Sequence, residues 1–372
     1  MKILKLIIRF FQNKYNNIKN FKNNFCRNQA NNIIAKLYLE ASNKKKSKKY
    51  IICEAMWDNP HHWVRLAIFI PVLTKFFNAN VMGLYLNGTS RKIIKSFKSF
   101  KFEHYIELNS SPKKKHYKVA HDLFATLENP SDIFDLDIPF GFPGSFLYDS
   151  ILKTEMIGTI QINNENNIKH LAQLLCFLEI YNKVIDPKKI CALVLSHPVN
   201  LRFSSLVHIA LSKKIPVYIL NYINEYITVR KLENFKDWIE GSNENPKIDD
   251  INKLSLNKRN YLERIGKDYL EKIRESKKGQ ISTTGTFDSD FEVQFNRKNL
   301  FESLNLDTNK FTGVIMTGCW PDFPNIYPKT FYLDYVDWFL KTIEIIGNLN
   351  DFNWIVKPHP AEFMYGSKTK SK

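Results

Sequence analysis

ICALVLSHPVNLRFSSLVHIALSKKIPVYILN, residues 190–221, runs an apolar stretch, a helical stretch and a second apolar stretch in succession. ICALVL is continuous rather than alternating, which suits a strand covered on both faces. SSLVHIALSKK (204–214) reads as a helix and IPVYILN (215–221) as another buried strand. A strand, a helix and a strand in this order form a parallel crossover, so the unit belongs to an α/β sheet with helices on both faces.

The same alternation extends outward in both directions. YIICEA (50–55), VMGLYLN (81–87) and FEHYIEL (102–108) read as strands. Between the first two, Asn59 is placed as an N-cap and Pro60 at the first helical position, opening a helix that Pro71 is expected to kink. Further helices are expected over 113–127 and 165–184, separated by NPSDIFDLDIPFGFPGSFLYDS (129–150), which reads as a loop with short turns. Residues 228–300 are highly charged and read as mostly helical; FTGVIMTG (311–318), YLDYVDWFLKTIEIIGNL (332–349) and FNWIVK (352–357) then repeat the strand, helix, strand order. At 372 residues the chain exceeds the roughly 250 at which one core stops growing, so two lobes are expected. The divisions read are a basic arm at 1–49, a first lobe at 50–227, a connection at 228–305 and a second lobe from 306 to 372.

The net charge of +17 is concentrated at the front. Residues 1–49 hold thirteen Lys and Arg against a single acid, Glu40. This arm reads either as a helix lying on an anionic membrane surface or as a low-complexity lead-in. LAIFIPVLT (66–74) is too short to span a bilayer, and Lys5 and Arg9 interrupt the opening apolar residues, so neither a spanning helix nor a secretion signal is expected. Five widely spaced cysteines form no CxxC pair and read as reduced thiols of a cytoplasmic protein. Charge alone suggests nucleic acid, but no recognisable binding module accompanies the arm, and nucleic acid is not an expected partner. His61 and His62 have no partner at ligand spacing, and no metal is expected. The Gly-rich strings of dinucleotide or P-loop binding are absent.

Ligands of open parallel sheets bind beyond the carboxyl ends of the strands. Two His-Pro pairs stand at such ends, His197 in VLSHPVN and His359 in IVKPHPAE, the latter two residues after Lys357. An imidazole between prolines beside an ammonium suits a diphosphate or phosphodiester.

GVIMTGCWPDFPNIY (313–327), FYLDYVDWFLKTIEII (331–346) and FNWIVKPHPAEFMYG (352–366) resemble, in that order, the nucleotide-binding lobe of bacterial capsule polysaccharide biosynthesis proteins, which are GT-B glycosyltransferases. GFPGSFLYDSILK (141–153) and VLSHPVNLRFSSLVHIALSKKIPVYIL (194–220) are similar to first-lobe segments of the same proteins. The resemblance implies a GT-B-like architecture of two Rossmann-like lobes with parallel sheets, here with the second lobe incomplete, since in the family that lobe continues well past the Lys-Pro-His-Pro string. It implies a nucleotide-sugar donor held by Lys357, His359 and Asp322, the histidine touching the donor phosphate. It also implies a polysaccharide or lipid-linked acceptor and no cofactor.

On the acceptor side, Glu54 or Asp58 after the first strand is the expected general base, with His61, Arg65, Asp149 and His197 as further candidates. Each has a structural alternative: capping by Asp58, a solvated histidine pair at 61 and 62, a loop-to-helix cap at Tyr148 and Asp149, a turn role for His197 and a turn cap for Asp322. The functions weighed are sugar transfer at the cytoplasmic face of the membrane, polyol-phosphate transfer to a teichoic-type polymer, and a non-catalytic, truncated or partner-dependent lobe that binds membrane or a companion transferase.

Overall fold

The computed structural model describes residues 47–56, 60–98, 102, 104–223, 226–240, 248–274, 297–326 and 331–359. The first part of the chain gives β1 (Tyr50–Glu54), α1 (Pro60–Phe77), β2 (Asn80–Leu86), α2 (Arg91–Lys98), β3 (His104–Leu108) and α3 (Lys114–Phe124). After two 3-10 turns come α4 (Gly144–Glu155), α5 (Glu165–Val184), β4 (Ile190–Leu195), α6 (Leu201–Ser212), β5 (Val217–Ile223) and β6 (Tyr226–Leu232). The remainder supplies α7 (Phe235–Glu240), α8 (Ile248–Asn252), α9 (Leu256–Arg274), α10 (Arg297–Ser303), β7 (Phe311–Met316), α11 (Tyr335–Ile346) and β8 (Phe352–Lys357).

Two compact units divide these elements. One joins the described residues up to Ala120 with Leu171–Asp237; the other joins His121–His170 with the described residues from Trp238 onward. Each is therefore assembled from two separated pieces of chain.

The first unit is built on a six-stranded sheet of order β3-β2-β1-β4-β5-β6. All its pairings are parallel except the last, where β6 runs antiparallel to β5 along seven paired positions. On one face Ile51 and Cys53 of β1, Ala192 and Val194 of β4 and Leu220 of β5 meet Leu66, Ala67, Ile70 and Leu73 of α1. Successive strand residues point to opposite faces, so the equally buried Ile52, Leu193 and Leu195 serve the other side, where α6 packs on β4 and β5. Gly83 of β2 is required by close approach: a Cβ there would stand 2.7 Å from the ring of Tyr105, whose hydroxyl donates to the Phe97 carbonyl at 2.7 Å.

In the second unit β7 and β8 pair in parallel, with α11 between them in sequence. The turn over 130–135 leans on the start of α4, and Gly144 makes this contact feasible, because a Cβ would stand 1.9 Å from the Ile133 carbonyl oxygen.

As read from the sequence, α1 continues through Pro71 to Phe77, with Thr74 Oγ1 donating to the Pro71 carbonyl at 2.8 Å. Elements differ from the sequence reading in two places. The stretch 129–150, expected as loop throughout, enters α4 at Gly144, directly after Pro143 in the N-cap position. β6 stands across position 227, where the sequence pattern ends the first lobe and opens a mostly helical connection. Cys53, Cys176, Cys191 and Cys319 carry free thiols. No helix among the described residues is long and apolar enough to cross a membrane. Residues 1–46, which contain most of the basic arm, lie outside the described residues.

Candidate functional site

Sheet order places the candidate chemistry of the first unit. Strands are added to one side of β1 by β2 and β3, and to the other by β4 and β5. Connections reverse direction between β1 and β4, and beyond the carboxyl ends of such a strand pair lies the crevice that ligands of open α/β sheets use. Glu54 is the last residue of β1, and Ser196 directly follows β4.

These two side chains meet there with His62 from the first turns of α1. Ser196 Oγ donates to Glu54 Oε1 at 2.5 Å, His62 Nε2 lies 2.9 Å from the same oxygen, and Met56 N donates to Oε2 at 3.1 Å. Glu54, His62 and Ser196 are all buried. Burial pushes the Glu54 carboxyl up, but the imidazole, the hydroxyl and the amide together outweigh it and hold the group below its ordinary value. Carboxylate, not imidazole, is the hub of this cluster. Ser196 is bonded to Glu54 instead of to His62, so the trio is not a relay that activates a serine nucleophile.

The turn after β4 holds His197, half-buried, and ends at Asn200, whose φ of 68° and ψ of 144° fall where few residues other than glycine are found. Its carbonyl accepts from Phe203 N and Ser204 N at 3.0 and 2.8 Å, which opens α6. Arg65 is turned to the sheet, with Nη1 donating to the Leu220 carbonyl at 2.7 Å. Asp58 and the side chain of His61 lie outside the described residues.

The second unit presents its own carboxyl edge. Met316 and Lys357 are the paired last residues of β7 and β8, and Thr317 N extends the ladder by donating to the Lys357 carbonyl at 3.0 Å. Lys357 and His359 are exposed. α11 starts at this edge: Asp334 caps it by accepting from Val336 N at 2.9 Å and Asp337 N at 3.0 Å, and the Tyr335 ring lies against Gly318. A helix N-terminus, an ammonium and an imidazole at one strand edge make a setting that suits an anion.

Asp322, also after β7, is half exposed and pairs with Lys153 of α4 at 2.8 Å. Asp149 lies inside α4 and does not cap that helix, so the expectation of a loop-to-helix cap is corrected. Its carboxylate accepts from Asn325 N, Ile326 N and Asn325 Nδ2 at 2.8, 2.9 and 2.9 Å, fastening the segment after β7 to α4. Burial pushes its carboxyl up to about 7, against the pull of these three donors and with the Asp334 carboxylate adding to the rise. One residue earlier, Tyr148 donates its hydroxyl to Asp334 Oδ2 at 2.7 Å. Burial and that carboxylate raise the phenol well above its usual value.

The structure thus brings Glu54 together with His62 and with Ser196, a partner absent from the expected set. The signal for Ser196 was its place immediately before His197 and Pro198 at a strand end. No protein-family model, curated protein or solved structure matches this chain.

Proposed function

We propose that the chain is a glycosyltransferase-type protein of surface polysaccharide synthesis, moving a sugar from a nucleotide-sugar donor to a growing or lipid-linked glycan, with a GT-B-like arrangement of its two units. The observation that carries this reading is the carboxyl edge of β7 and β8, where exposed Lys357 and His359 accompany the N-terminus of α11. Their charge and hydrogen-bonding capacity suit the donor diphosphate or phosphodiester and would stabilise the departing nucleotide. No metal or other cofactor enters this scheme. Glu54 acts as a positioning residue, since Ser196, His62 and Met56 already engage both its oxygens. Removal of the acceptor proton then falls to Asp58, the carboxylate between β1 and α1 in sequence. The basic arm holds the protein at the anionic inner face of the cell membrane, near a lipid-linked acceptor.

Calorimetric titration of the full chain with CMP-, UDP-, GDP- and CDP-linked sugars tests the reading. Selective binding of one nucleotide class, weakened about tenfold in His359→Ala, is expected. Silence from every donor in a folded protein would overturn it.

A second reading, a partner-dependent lobe, is favoured by one observation. α11 has no buried residue, and Leu340 and Ile345 on it, with Phe311 and Met316 of β7, are more than half exposed. A companion transferase chain covering these residues would make donor binding appear only in the complex.

A further inference from the structure

The opposite, amino edge of the first unit's sheet gathers positive charge. Residues just before β1, β4 and β5 converge there: Tyr50 N donates to the Lys189 carbonyl at 2.8 Å, Asn80 N to the Lys49 carbonyl at 2.9 Å, and Leu193 N to the Pro216 carbonyl at 3.0 Å. Lys49, Lys188, Lys189, Lys213 and Lys214 line a depression of about 210 Å³. Lys213 Nζ is spent on the carbonyls of Asn182 and Ile185. The other four are exposed, as is Lys48, and no carboxylate among the described residues pairs with any of the five. Asp186, next to Lys188 in sequence but one, uses its Oδ1 on the Lys188 amide at 2.9 Å.

Apolar surface adjoins this charge. Ile68, Val72 and Phe76 recur every four residues along α1 and are 37%, 57% and 75% exposed. The helix ends at the same edge, where Ala79 N closes on the Thr74 carbonyl and Asn80 N on that of Lys49. Phe77 brings the end of α1 onto β5, its ring 6.0 Å from that of Tyr218, two residues past Pro216 of the depression. Lys75, in the same turn, is exposed.

We infer that this amino edge is a docking surface for an anionic lipid bilayer, a folded contact additional to the basic arm. Unpaired lysines gain from the surface potential of anionic headgroups, and exposed Val72 and Phe76 gain by entering the interfacial layer beside them. A nucleic acid or a soluble polyanion would take up the charge but leave the apolar stripe of Ile68 and Val72 in water, so the combination selects the bilayer. Docked in this way, the unit turns the carboxyl edge with Glu54 and Ser196 away from the lipid. The inference does not depend on the identity of any donor.

Co-sedimentation of the full chain with vesicles of equal parts phosphatidylcholine and phosphatidylglycerol tests it, with phosphatidylcholine vesicles and heparin as comparison probes. Replacing Lys188, Lys189 and Lys214 with Gln leaves the arm intact and should lower anionic-vesicle partitioning by about fivefold for each charge, while the matching Arg variants restore it. Phe76→Ser should weaken vesicle binding and leave heparin binding unchanged. Circular dichroism checks that each variant folds. Wild-type partitioning in the Gln variant, or a loss confined to heparin, would overturn the proposal, as would failure of the wild type to bind anionic vesicles.

Discussion

Glu54 and Asp149 are both buried, and both have N–H or O–H donors on their two oxygens, yet their neighbours set opposite charge preferences. An imidazole stands against Glu54, whereas amides alone surround Asp149 and a second carboxylate, Asp334, acts on it. Linkage turns this contrast into opposite pH dependences. A carboxyl held below its ordinary value adds stability that is complete above about pH 4.3 and is lost as pH falls through the lowered value. Glu54→Gln should therefore flatten the acid limb of the stability profile and cost about 3 kcal/mol at neutral pH, measured by urea unfolding, because it removes the buried carboxylate that His62, Ser196 and the Met56 amide engage. Asp149 has the reverse sign: stability is greatest below the ordinary aspartate value and declines as pH rises through about 7. Asp149→Asn should abolish that decline. Amide exchange at Asn325 and Ile326, which donate to Asp149, reads the effect locally.

At the scale of elements, Asp334 carries two duties, closing the first turn of α11 and accepting the Tyr148 hydroxyl. Asp334→Ala should cost about 2–4 kcal/mol in denaturant unfolding, the sum of a lost cap and a buried hydroxyl left without an acceptor. Asp334→Asn keeps an acceptor for the cap and should cost less. Local pattern was sufficient for elements whose apolar run or helical period is self-contained: α5 at Glu165–Val184 and β8 at Phe352–Lys357 match their readings to the residue. β6 was not legible, because exposed Lys231 and half-buried Arg230 gave Tyr226–Leu232 a charged character and its strand state rests on pairing with β5. α4 was hidden by Pro143 and Gly144, which look like turn punctuation; Gly144 is there because the Ile133 carbonyl leaves no room for a side chain. Glu54 could be found as a polar residue closing an apolar strand. Its bond to Ser196 spans 142 positions and follows from sheet order, which no local pattern contains.

At the scale of the molecule, the sheet's centre is the point where distant chain segments must join. β1 is flanked by β2 on one side and β4 on the other, and Ile51 and Ile52 are completely buried between them and the helices. A fragment ending at Lys189 retains β1, β2 and β3 but lacks the strand that covers the second edge of β1. It should sediment as aggregate when the full chain stays in solution, since an uncovered apolar edge invites pairing between copies. The central place of β1 also gives the protein a history during synthesis. At ordinary rates of translation, β4 leaves the ribosome on the order of ten seconds after β1, and for that interval the nascent chain carries an unsatisfied β edge. Its biogenesis is thus a race between elongation and self-association, one that a ribosome-associated chaperone would decide.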